Sequence, residues 1–256
     1  MISAVIVTYR TGEVLWQALD AARAQCDQVV VVDNGNPAEV SARLRDDPGF
    51  LYLSMKGNRG FSFAANRGAE AATGTHLLIL NPDAILQPGC VDALRRALNG
   101  AASPAIAGAR LIDVQGREQR GSRRRPLTPR TLLAGLNRHR EPLPHGPSRV
   151  GAISGAGFLV SKTDWRALGG FDESYFLHVE DLDLCRRARE LGGDVLFVPD
   201  TRLLHRTSSS DAPDWVVETH KAMGLKHYLI CHHPRAGRLL WPAMSRALAR
   251  RRRRSR

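Results

Sequence analysis

The chain has 256 residues, of which 43 % are hydrophobic and 24 % are charged. This ordinary apolar fraction excludes disorder throughout, and no apolar run reaches the roughly 20 residues that cross a bilayer as a helix. The formal net charge is +12, and seven of the positive charges are arginines among the last eleven residues, so the basic character is concentrated at the C-terminal end.

Short strands rich in β-branched residues alternate with helical stretches over the first hundred residues. Strands are predicted over residues 3–9, 28–33, 50–54 and 76–80, with helices over 12–24 and 61–72. Continuous apolar strands joined by helices indicate an α/β fold, a mostly parallel sheet covered by helices on both faces. Ligands of such sheets bind beyond the carboxyl ends of the strands, which here lead into Thr8, Asp33 and Asn81.

The rest of the chain divides into a basic segment, an ordered second half and a tail. Residues 113–149 hold five prolines and many arginines, which fits either a mobile substrate loop or a poorly ordered basic insertion. Further on, helices are predicted over 178–190 and 214–230, with strands over 194–198 and 202–205. The predicted units are residues 1–112, the flexible loop 113–149, residues 150–232 of the same domain, and the basic tail 233–256.

Asn81-Pro82-Asp83 directly follows an apolar strand. A carboxylate at that position suits a hard divalent cation together with two phosphate groups, although Asn-Pro-Asp is also a common turn sequence. His205 ends a short strand and could complete a metal site begun by Asp83, and Arg206 after it could bind phosphate. The alternative is a structural histidine.

Glu180-Asp181 stands at the predicted start of a helix, where the helix dipole favours the ionised form of a carboxyl group. One of the two could serve as a general base, and the alternative is ordinary capping by acidic residues. Neither a phosphate-binding P-loop nor a complete dinucleotide-binding glycine pattern is present. Gly155-Ala156-Gly157 is therefore interpreted as a place where the backbone approaches a ligand closely.

Taken in chain order, these features resemble the family 2 inverting glycosyltransferases, which have the GT-A fold, and within them the rhamnosyltransferase-like branch that builds bacterial cell-surface polysaccharides. The resemblance spans roughly residues 2 to 210 and implies a Rossmann-like single domain followed by the basic tail. The residues that carry it are Thr8-Tyr9, Val32-Asp33-Asn34, Asn58-Arg59-Gly60-Phe61, Asn66-Arg67-Gly68, Leu80-Asn81-Pro82-Asp83, Gly155-Ala156-Gly157-Phe158, Gly169-Gly170-Phe171-Asp172, Glu180-Asp181-Leu182-Asp183-Leu184-Cys185-Arg186 and His205.

The resemblance implies a nucleotide-binding set near the first strands. In the family, residues matching Thr8, Tyr9 and Arg10 contact the nucleotide, and the carboxylate matching Asp33, followed here by Asn34, binds the pyrimidine base. Residues matching Gly60 and Asn66 lie beside the nucleotide and support the diphosphate.

It also implies the groups that carry out the transfer. Asn81-Pro82-Asp83 matches the family's Asp-x-Asp metal motif, with asparagine in the first place, so Asp83 is the expected ligand of Mg²⁺ or Mn²⁺. The residue matching Asn81 is expected to bond ribose or a metal-bound water, and His205 matches the histidine that completes the coordination. Asp181 of the Glu180-Asp181 pair matches the usual catalytic base.

The implied reaction moves a sugar, with rhamnose favoured, from a nucleoside-diphosphate sugar to a hydroxyl group of a glycan or polyprenyl-linked acceptor. The donor favoured is dTDP-rhamnose, and a UDP-sugar is possible. No nucleic acid is expected as a partner. An arginine-rich tail with interleaved apolar residues suits the anionic inner surface of the plasma membrane. We therefore expect a cytoplasmic protein attached peripherally at that face.

Cysteine spacing and the N-terminal residues agree with a cytoplasmic location. The four cysteines lie far apart without a C-x-x-C pair, and the first residues lack a basic-then-apolar signal. Two other classes of function stay open at this point. One is a basic protein that binds nucleic acid or membrane on a degenerate transferase scaffold, and the other is a nucleotidyltransferase with a similar sheet.

Overall fold

Buried strands alternate with helices in the computed structural model of the chain, which describes residues 1–133, 140–206 and 214–242. The strands and helices predicted over the first eighty residues are confirmed to within about two residues at each end. Along the described residues the elements are β1 (Ile2–Thr8), α1 (Val14–Arg23), β2 (Gln28–Asp33), α2 (Ala38–Asp46), β3 (Leu51–Ser54), α3 (Phe61–Ala71), β4 (His76–Leu80), β5 (Ala84–Leu86), α4 (Cys90–Leu98), β6 (Ile106–Ile112), β7 (Arg123–Arg124), α5 (Pro129–Leu133), β8 (Ser148–Arg149), β9 (Ala152–Ile153), β10 (Gly157–Ser161), α6 (Lys162–Ala167), α7 (Glu180–Glu190), β11 (Val195–His205) and α8 (Asp214–His232).

The central sheet has the strand order β3-β2-β1-β4-β10-β6-β11-β5, and β8 also pairs with β11. The first four strands pair in parallel, as do β6 and β11. β10 is antiparallel to both of its neighbours, and β5 and β8 are antiparallel to β11. Six of the nine sheet strands in the described part of the chain thus run in one direction, which confirms the mostly parallel sheet.

Alternate residues of the strands supply two hydrophobic cores, one on each face of the sheet. Ile6 of β1 lies in a core with Leu15 of α1 and Leu94 of α4. Val5 lies in the other core, together with Ala65 of α3 and residues of α6 and α7. Helices therefore cover both faces, as the continuous apolar strands predicted.

β11 differs from its prediction as two short strands over 194–198 and 202–205. It is one strand, whose register against β6 shifts between Val198 and Leu203. Pro199 lies in that interval and has no N–H to donate, so the ladder is interrupted without ending the strand. The second half of β11 is thereby extended to the edge where β5 pairs with it.

Residues 113–149 contain β7, α5 and β8, which the composition did not predict. Glu118 explains why so basic a segment packs against the domain. Its side chain is only 4 % exposed and forms ion pairs with Arg110, Arg123 and Arg140. A buried carboxylate thus compensates arginines that would otherwise require solvent.

The C-terminal residues are described as far as residue 242. The predicted helix over 214–230 is confirmed as α8, and the seven arginines among the last eleven residues lie outside the described residues. None of the helices that the structure describes combines the length and the apolar character needed to span a bilayer.

A close contact between α3 and the sheet yields a prediction about stability. A Cβ atom on Gly68 of α3 would overlap the side chains of Val5 and Val32, whereas one on Gly12 would meet no atom within 4 Å. We expect Gly68→Ala to lower the free energy of unfolding by about 1–2 kcal/mol, because overpacking outweighs the gain in helix propensity. Gly12→Ala is the control with little change. Urea denaturation measures both, and an unchanged or raised stability of the Gly68→Ala variant would contradict the packing.

Candidate active site

An antiparallel strand pair brings together two candidate metal ligands that lie far apart in the sequence. Ala84 at the start of β5 pairs with His205 at the end of β11, and the Arg206 N–H donates to the Asp83 carbonyl oxygen over 3.0 Å. Asp83 and His205 face each other, with Oδ1 and Nε2 3.3 Å apart. The side-chain nitrogen of Asn81 lies 3.3 Å from the same Nε2. Asp83 and Asn81 therefore each contact the His205 imidazole, and Arg206 is joined to Asp83 through a backbone hydrogen bond.

The side-chain amide of Gln119 contacts His205 through both its nitrogen and its oxygen, and so fixes the imidazole. Its nitrogen donates to the His205 carbonyl oxygen over 2.7 Å, so its oxygen is the atom 2.8 Å from Nδ1. An amide oxygen only accepts, and Nδ1 therefore carries a hydrogen. Nε2 is left to face Asp83, either protonated and paired with it or as a neutral metal ligand.

The donor set at this point fits a divalent cation held partly by substrate. A carboxylate oxygen and an imidazole nitrogen are ligands that Mg²⁺ or Mn²⁺ accepts, and Asn81 adds an amide beside them. Among the residues that the structure describes, no group of three or more His, Cys, Asp or Glu side chains is arranged to hold a metal ion. Asp83 and His205 would therefore need phosphate oxygens or waters to complete the coordination.

The candidate base lies at the first turn of α7. The preceding residue, Val179, has a φ of +77°, which a β-branched residue rarely adopts and which costs about 1–3 kcal/mol. At the helix start, Asp181 Oδ2 accepts from Arg124 Nη2 over 2.7 Å and from the Gly155 N–H over 3.0 Å. Its Oδ1 accepts from the Leu182 N–H over 2.7 Å. The Asp181 carboxylate is thus fixed on one oxygen by two donors from outside the helix.

Glu180 has a different environment from its neighbour. Burial, together with the adjacent charge of Asp181, raises its pKa to about 8. Within the described residues Glu180 Oε2 is buried and has no hydrogen-bond partner. Glu180 therefore carries a proton at neutral pH, whereas Asp181, paired with Arg124, is the member of the pair suited to act as a base.

At the carboxyl end of β2, Asp33 organises the following turn. Its Oδ1 accepts from the N–H groups of Gly35 and Asn36 and from the Asn36 side chain, each over 3.0 Å. Its Oδ2 accepts from the hydroxyls of Ser41 and Tyr52 over 2.5 and 2.7 Å. Burial alone would raise the pKa of Asp33, but these donors hold it below its ordinary value. The predicted contact with the nucleobase stays a prediction.

Asn34 joins the end of β2 to the loop before α3. Its N–H donates to the Thr8 carbonyl oxygen over 2.8 Å, and its side-chain oxygen accepts from the Arg59 N–H over 2.9 Å. The loop ends at Gly60, whose φ is +89° and where a Cβ would lie 2.9 Å from Phe176. The sequence therefore requires glycine at the point where the loop before α7 crosses the start of α3.

The three residues after the first strand differ in exposure. Thr8 is fully buried, and its hydroxyl donates to the Val32 carbonyl oxygen over 3.2 Å. Tyr9 is half-buried, and Arg10 is exposed with a φ of +46°. Tyr9 and Arg10 are thus the two that a ligand can reach at this end of the sheet.

Asn66 lies in the middle of α3 and ties that helix to the loop before α7. Its side-chain nitrogen donates to the Phe171 carbonyl oxygen over 2.9 Å and to Glu173 over 3.0 Å, and its oxygen accepts from the Phe171 N–H over 2.9 Å. These bonds engage its amide oxygen and nitrogen within the protein. Support of a diphosphate by Asn66 stays a prediction.

The sequence did not predict two residues that contact the candidate metal ligand and the candidate base. Gln119 and Arg124 both lie in the basic segment between β6 and β8, outside any recognised motif. Arg124 was noted only as one of many arginines there. Its pairing with β9, where Arg124 lies opposite Ala152, is a long-range contact that one sequence does not reveal.

The family profile "Glycosyl transferase family 2" matches residues 3–161, more than half of the chain. With the sheet and the clustered site residues described above, this match shows that the chain belongs to glycosyl transferase family 2. The family predicted from the motif order is therefore confirmed.

Relatives place the chain near rhamnosyltransferases within that family. It is 27 % identical over 238 residues to the N-acetylglucosaminyl-diphospho-decaprenol L-rhamnosyltransferase of Mycobacterium tuberculosis, covering 82 % of this chain and 77 % of the relative. It is 23 % identical to the rhamnosyltransferase WbbL of Escherichia coli K12, covering 80 % and 83 %.

A solved structure has the same fold. The structure of GalNAc-T7 with UDP, GalNAc and Mn²⁺ superposes with a TM-score of 0.64 at 17 % sequence identity. The match covers 92 % of this chain and 51 % of that one, so the chain spans about half the length of GalNAc-T7. The predicted GT-A-type fold is confirmed.

The hydrogen bonds to Asp33 predict a pH-dependent contribution to stability. We expect Asp33→Asn to lower the free energy of unfolding by about 2 kcal/mol at pH 7, because an amide accepts at only one atom. Since folding lowers the pKa of Asp33, the stabilisation is present above the unfolded value of about 3.9 and disappears as the pH falls through the folded value.

Urea denaturation of both proteins between pH 2 and pH 7 measures the difference. The exposed Asp46→Asn, at the end of α2, is the matched control and should behave like the parent chain. A difference between parent and Asp33→Asn that stays constant down to pH 2 would contradict the assignment.

Proposed function

We propose that this chain transfers a sugar, with inversion at the anomeric carbon, from a nucleoside-diphosphate sugar to a hydroxyl group. One observation supports the proposal above the others. The Gly155 N–H donates to Asp181, and the carbonyl oxygen of the next residue, Ala156, accepts from the Asn81 N–H over 3.0 Å. Two adjacent residues thus join the candidate base to the Asn81–Asp83 turn across one cleft.

On the leaving-group side, Asp83 and His205 would hold Mg²⁺ or Mn²⁺ through Oδ1 and Nε2. Bound there, the cation would offset the charge that develops on the departing diphosphate. Gln119 keeps the imidazole oriented for that role, and the backbone bond from Arg206 to Asp83 keeps the two ligands adjacent. The GalNAc-T7 structure contains UDP and Mn²⁺, which agrees with this proposal.

On the opposite side, Asp181 takes the proton of the acceptor hydroxyl as its oxygen attacks the anomeric carbon. An ionised carboxylate has about four acceptor positions, and both positions on Oδ2 are filled by Arg124 and Gly155. Oδ1, which among the described residues accepts from the Leu182 N–H alone, is therefore the oxygen that receives the proton. A single displacement needs no covalent intermediate and produces inversion, through an oxocarbenium-like transition state.

Part of the substrate has room beside the candidate metal ligand His205. A cavity of about 470 Å³ is lined by His205, Ser154, Gln119 and Arg120, among others. It touches a candidate metal ligand on one side and the residue preceding Gly155 on the other.

The donor and acceptor are proposed from the relatives. The names of both rhamnosyltransferases support rhamnose as the sugar, with dTDP-rhamnose as the donor, and a UDP-sugar is the second candidate. The mycobacterial relative is named for a decaprenol-diphosphate acceptor, which supports a lipid-linked acceptor in polysaccharide synthesis here.

Attachment to an anionic membrane surface at the cytoplasmic face is part of the same proposal. Trp215, Met223 and Ile230 are exposed on α8 at spacings that place them on one side of the helix. Leu239 is also exposed and leads toward the arginine-rich end of the chain. Apolar side chains followed by arginines suit a bilayer with anionic lipid.

A panel of nucleotide sugars tests the proposed activity. The full chain is incubated with each donor, with and without Mg²⁺ or Mn²⁺, and release of nucleoside diphosphate and the shift in thermal unfolding are measured. A response to dTDP-rhamnose supports the rhamnose branch, and a response to a UDP-sugar moves the donor elsewhere in the family. If none of the donors leads to release of nucleoside diphosphate, the proposal is contradicted and a binding protein on this scaffold is favoured.

The base assignment predicts a specific loss. Asp181→Asn should lower kcat by about 10²- to 10⁴-fold, because general base catalysis contributes that range. The dissociation constant of the nucleotide should change by less than about twofold, because Asp181 faces the acceptor. Initial rates and calorimetry measure the two quantities. Glu190→Gln, at the other end of α7, is the control, and an equal loss of rate and nucleotide affinity in Asp181→Asn would contradict the role.

The two-donor metal site predicts that metal binding depends on nucleotide. We expect Mn²⁺ to bind the nucleotide-free chain weakly and to bind at least about tenfold more tightly with dTDP or UDP present, because the diphosphate completes the coordination. His205→Ala should remove this enhancement, and the exposed His145→Ala should keep it. Titration of free Mn²⁺ followed by electron paramagnetic resonance measures it. Tight binding without nucleotide would contradict the proposal.

A further inference from the structure

We propose that Arg124 is a positioning residue for the transfer reaction, acting through Asp181. It holds one carboxylate oxygen of Asp181 in place and leaves Oδ1 as the oxygen that meets the acceptor. This inference rests on the proposed function and adds to it a residue from the basic segment between β6 and β8.

The contacts of Arg124 are specific to the candidate base. Its Nη2 donates to Asp181 Oδ2 over 2.7 Å and to the Ile153 carbonyl oxygen over 2.5 Å. The side chains of Arg124 and Asp181 are 21 % and 14 % exposed, so water screens their attraction only partly. Within the described residues the Nε of Arg124 is buried without a hydrogen-bond partner. The guanidinium is therefore held in place mainly by these two contacts.

Local structure explains why this arginine reaches the base. β7 pairs antiparallel with β9, so that Arg124 lies opposite Ala152, and Gly155 follows shortly after the end of β9. Successive side chains of a strand point to opposite sides. Arg123 accordingly pairs with the buried Glu118, and Arg124 pairs with Asp181. The two donors to Asp181 Oδ2, Arg124 and the Gly155 N–H, thus lie in β7 and just after its partner strand β9. The ion pair of Arg123 with Glu118 anchors β7.

The charges around Asp181 require such a partner. Glu180 lies beside it on α7, and Cys185 of the same helix is fully buried, with burial raising the pKa of its thiol to about 12. His178, in the loop before α7, also faces Asp181. Burial lowers the pKa of His178 to about 4, so its imidazole is neutral. Among the residues that the structure describes, Arg124 from β7 is the cation that forms an ion pair with Asp181. Without it, Asp181 would compete with Glu180 for a proton.

The consequence concerns the order of protonation within the acidic pair. With Arg124 present, Asp181 is the ion-paired member of the pair, while burial raises the pKa of Glu180. Removing the guanidinium allows the proton to reside on either carboxyl group. It also leaves Asp181 Oδ2 with the Gly155 N–H as its remaining donor among the described residues. The carboxylate is then oriented less firmly, so that Oδ2 can turn toward the acceptor in place of Oδ1.

The test compares Arg124→Met, Arg124→Lys and the control Arg125→Met in the full chain. Arg125 is the adjacent residue, exposed, and paired only distantly with Glu141 at 3.7 Å. Transfer rates are measured from pH 5 to pH 9 with the donor that the panel identifies. Thermal unfolding and the nucleotide dissociation constant are measured for every variant, so that a folding defect is recognised.

For Arg124→Met we expect kcat at pH 7 to fall by about 10²-fold, as displaced catalytic groups do. The acid limb of the rate profile should move upward by about one pH unit or more, because an adjacent cation favours the ionised carboxylate. The KM for the donor should stay near that of the parent. Arg124→Lys, which keeps the charge, should recover part of kcat and most of the pH profile, and it decides the matter if Arg124→Met does not fold.

Two results would overturn the inference. One is an Arg124→Met enzyme whose rate and pH profile match those of Arg125→Met, which should itself stay within about twofold of the parent, because exposed ion pairs contribute little. The other is a loss confined to KM with an unmoved acid limb, which marks a purely structural arginine. Absence of transfer by the parent chain with every donor is a different result, because it refutes the proposed function itself.

Discussion

The backbone hydrogen bond from Asn81 to Ala156 is the constraint on which the candidate active site depends. It exists because β10 runs antiparallel between β4 and β6, so that Gly157 lies opposite Leu80 at the carboxyl end of β4. A strictly parallel sheet would place the start of β10 at the other edge. The inserted strand therefore carries the Gly155–Ala156 turn to the same edge as Asp83, and the candidate base is held to that turn.

Electrostatic contrast between neighbouring groups then gives each carboxyl group its chemistry. Glu180 and Asp181 are adjacent in sequence, yet burial raises the pKa of the first to about 8 while Arg124 pairs with the second. Asp33 shows a third outcome, in which five donors outweigh burial and keep its pKa low. Carboxyl groups of the same chain thus differ in their chemistry because their burial and their hydrogen-bond donors differ, and not because of residue type.

Sequence patterns predicted what depends on local order. The β-branched strands, the alanine-rich α3 and the acidic start of α7 follow from periodicity, and the motif order led to the family. The insertion of β10 and the course of β11 through Pro199 depend on pairing between distant segments, which periodicity does not contain. The same limit explains Gln119 and Arg124, because an amide and an arginine in a Pro- and Arg-rich stretch have the composition of a solvated loop.

That stretch links the two halves of the proposed reaction. Gln119 orients His205 on the leaving-group side, and Arg124, five residues later, pairs with Asp181 on the base side. Glu118 anchors the segment through its arginines, with a carboxylate that is 4 % exposed. A shift of this segment by one residue would misplace both contacts at once, since strand register alternates the side chains. The segment is therefore best understood as part of the framework of the candidate active site, held in place by the ion pairs of its arginines with the buried Glu118.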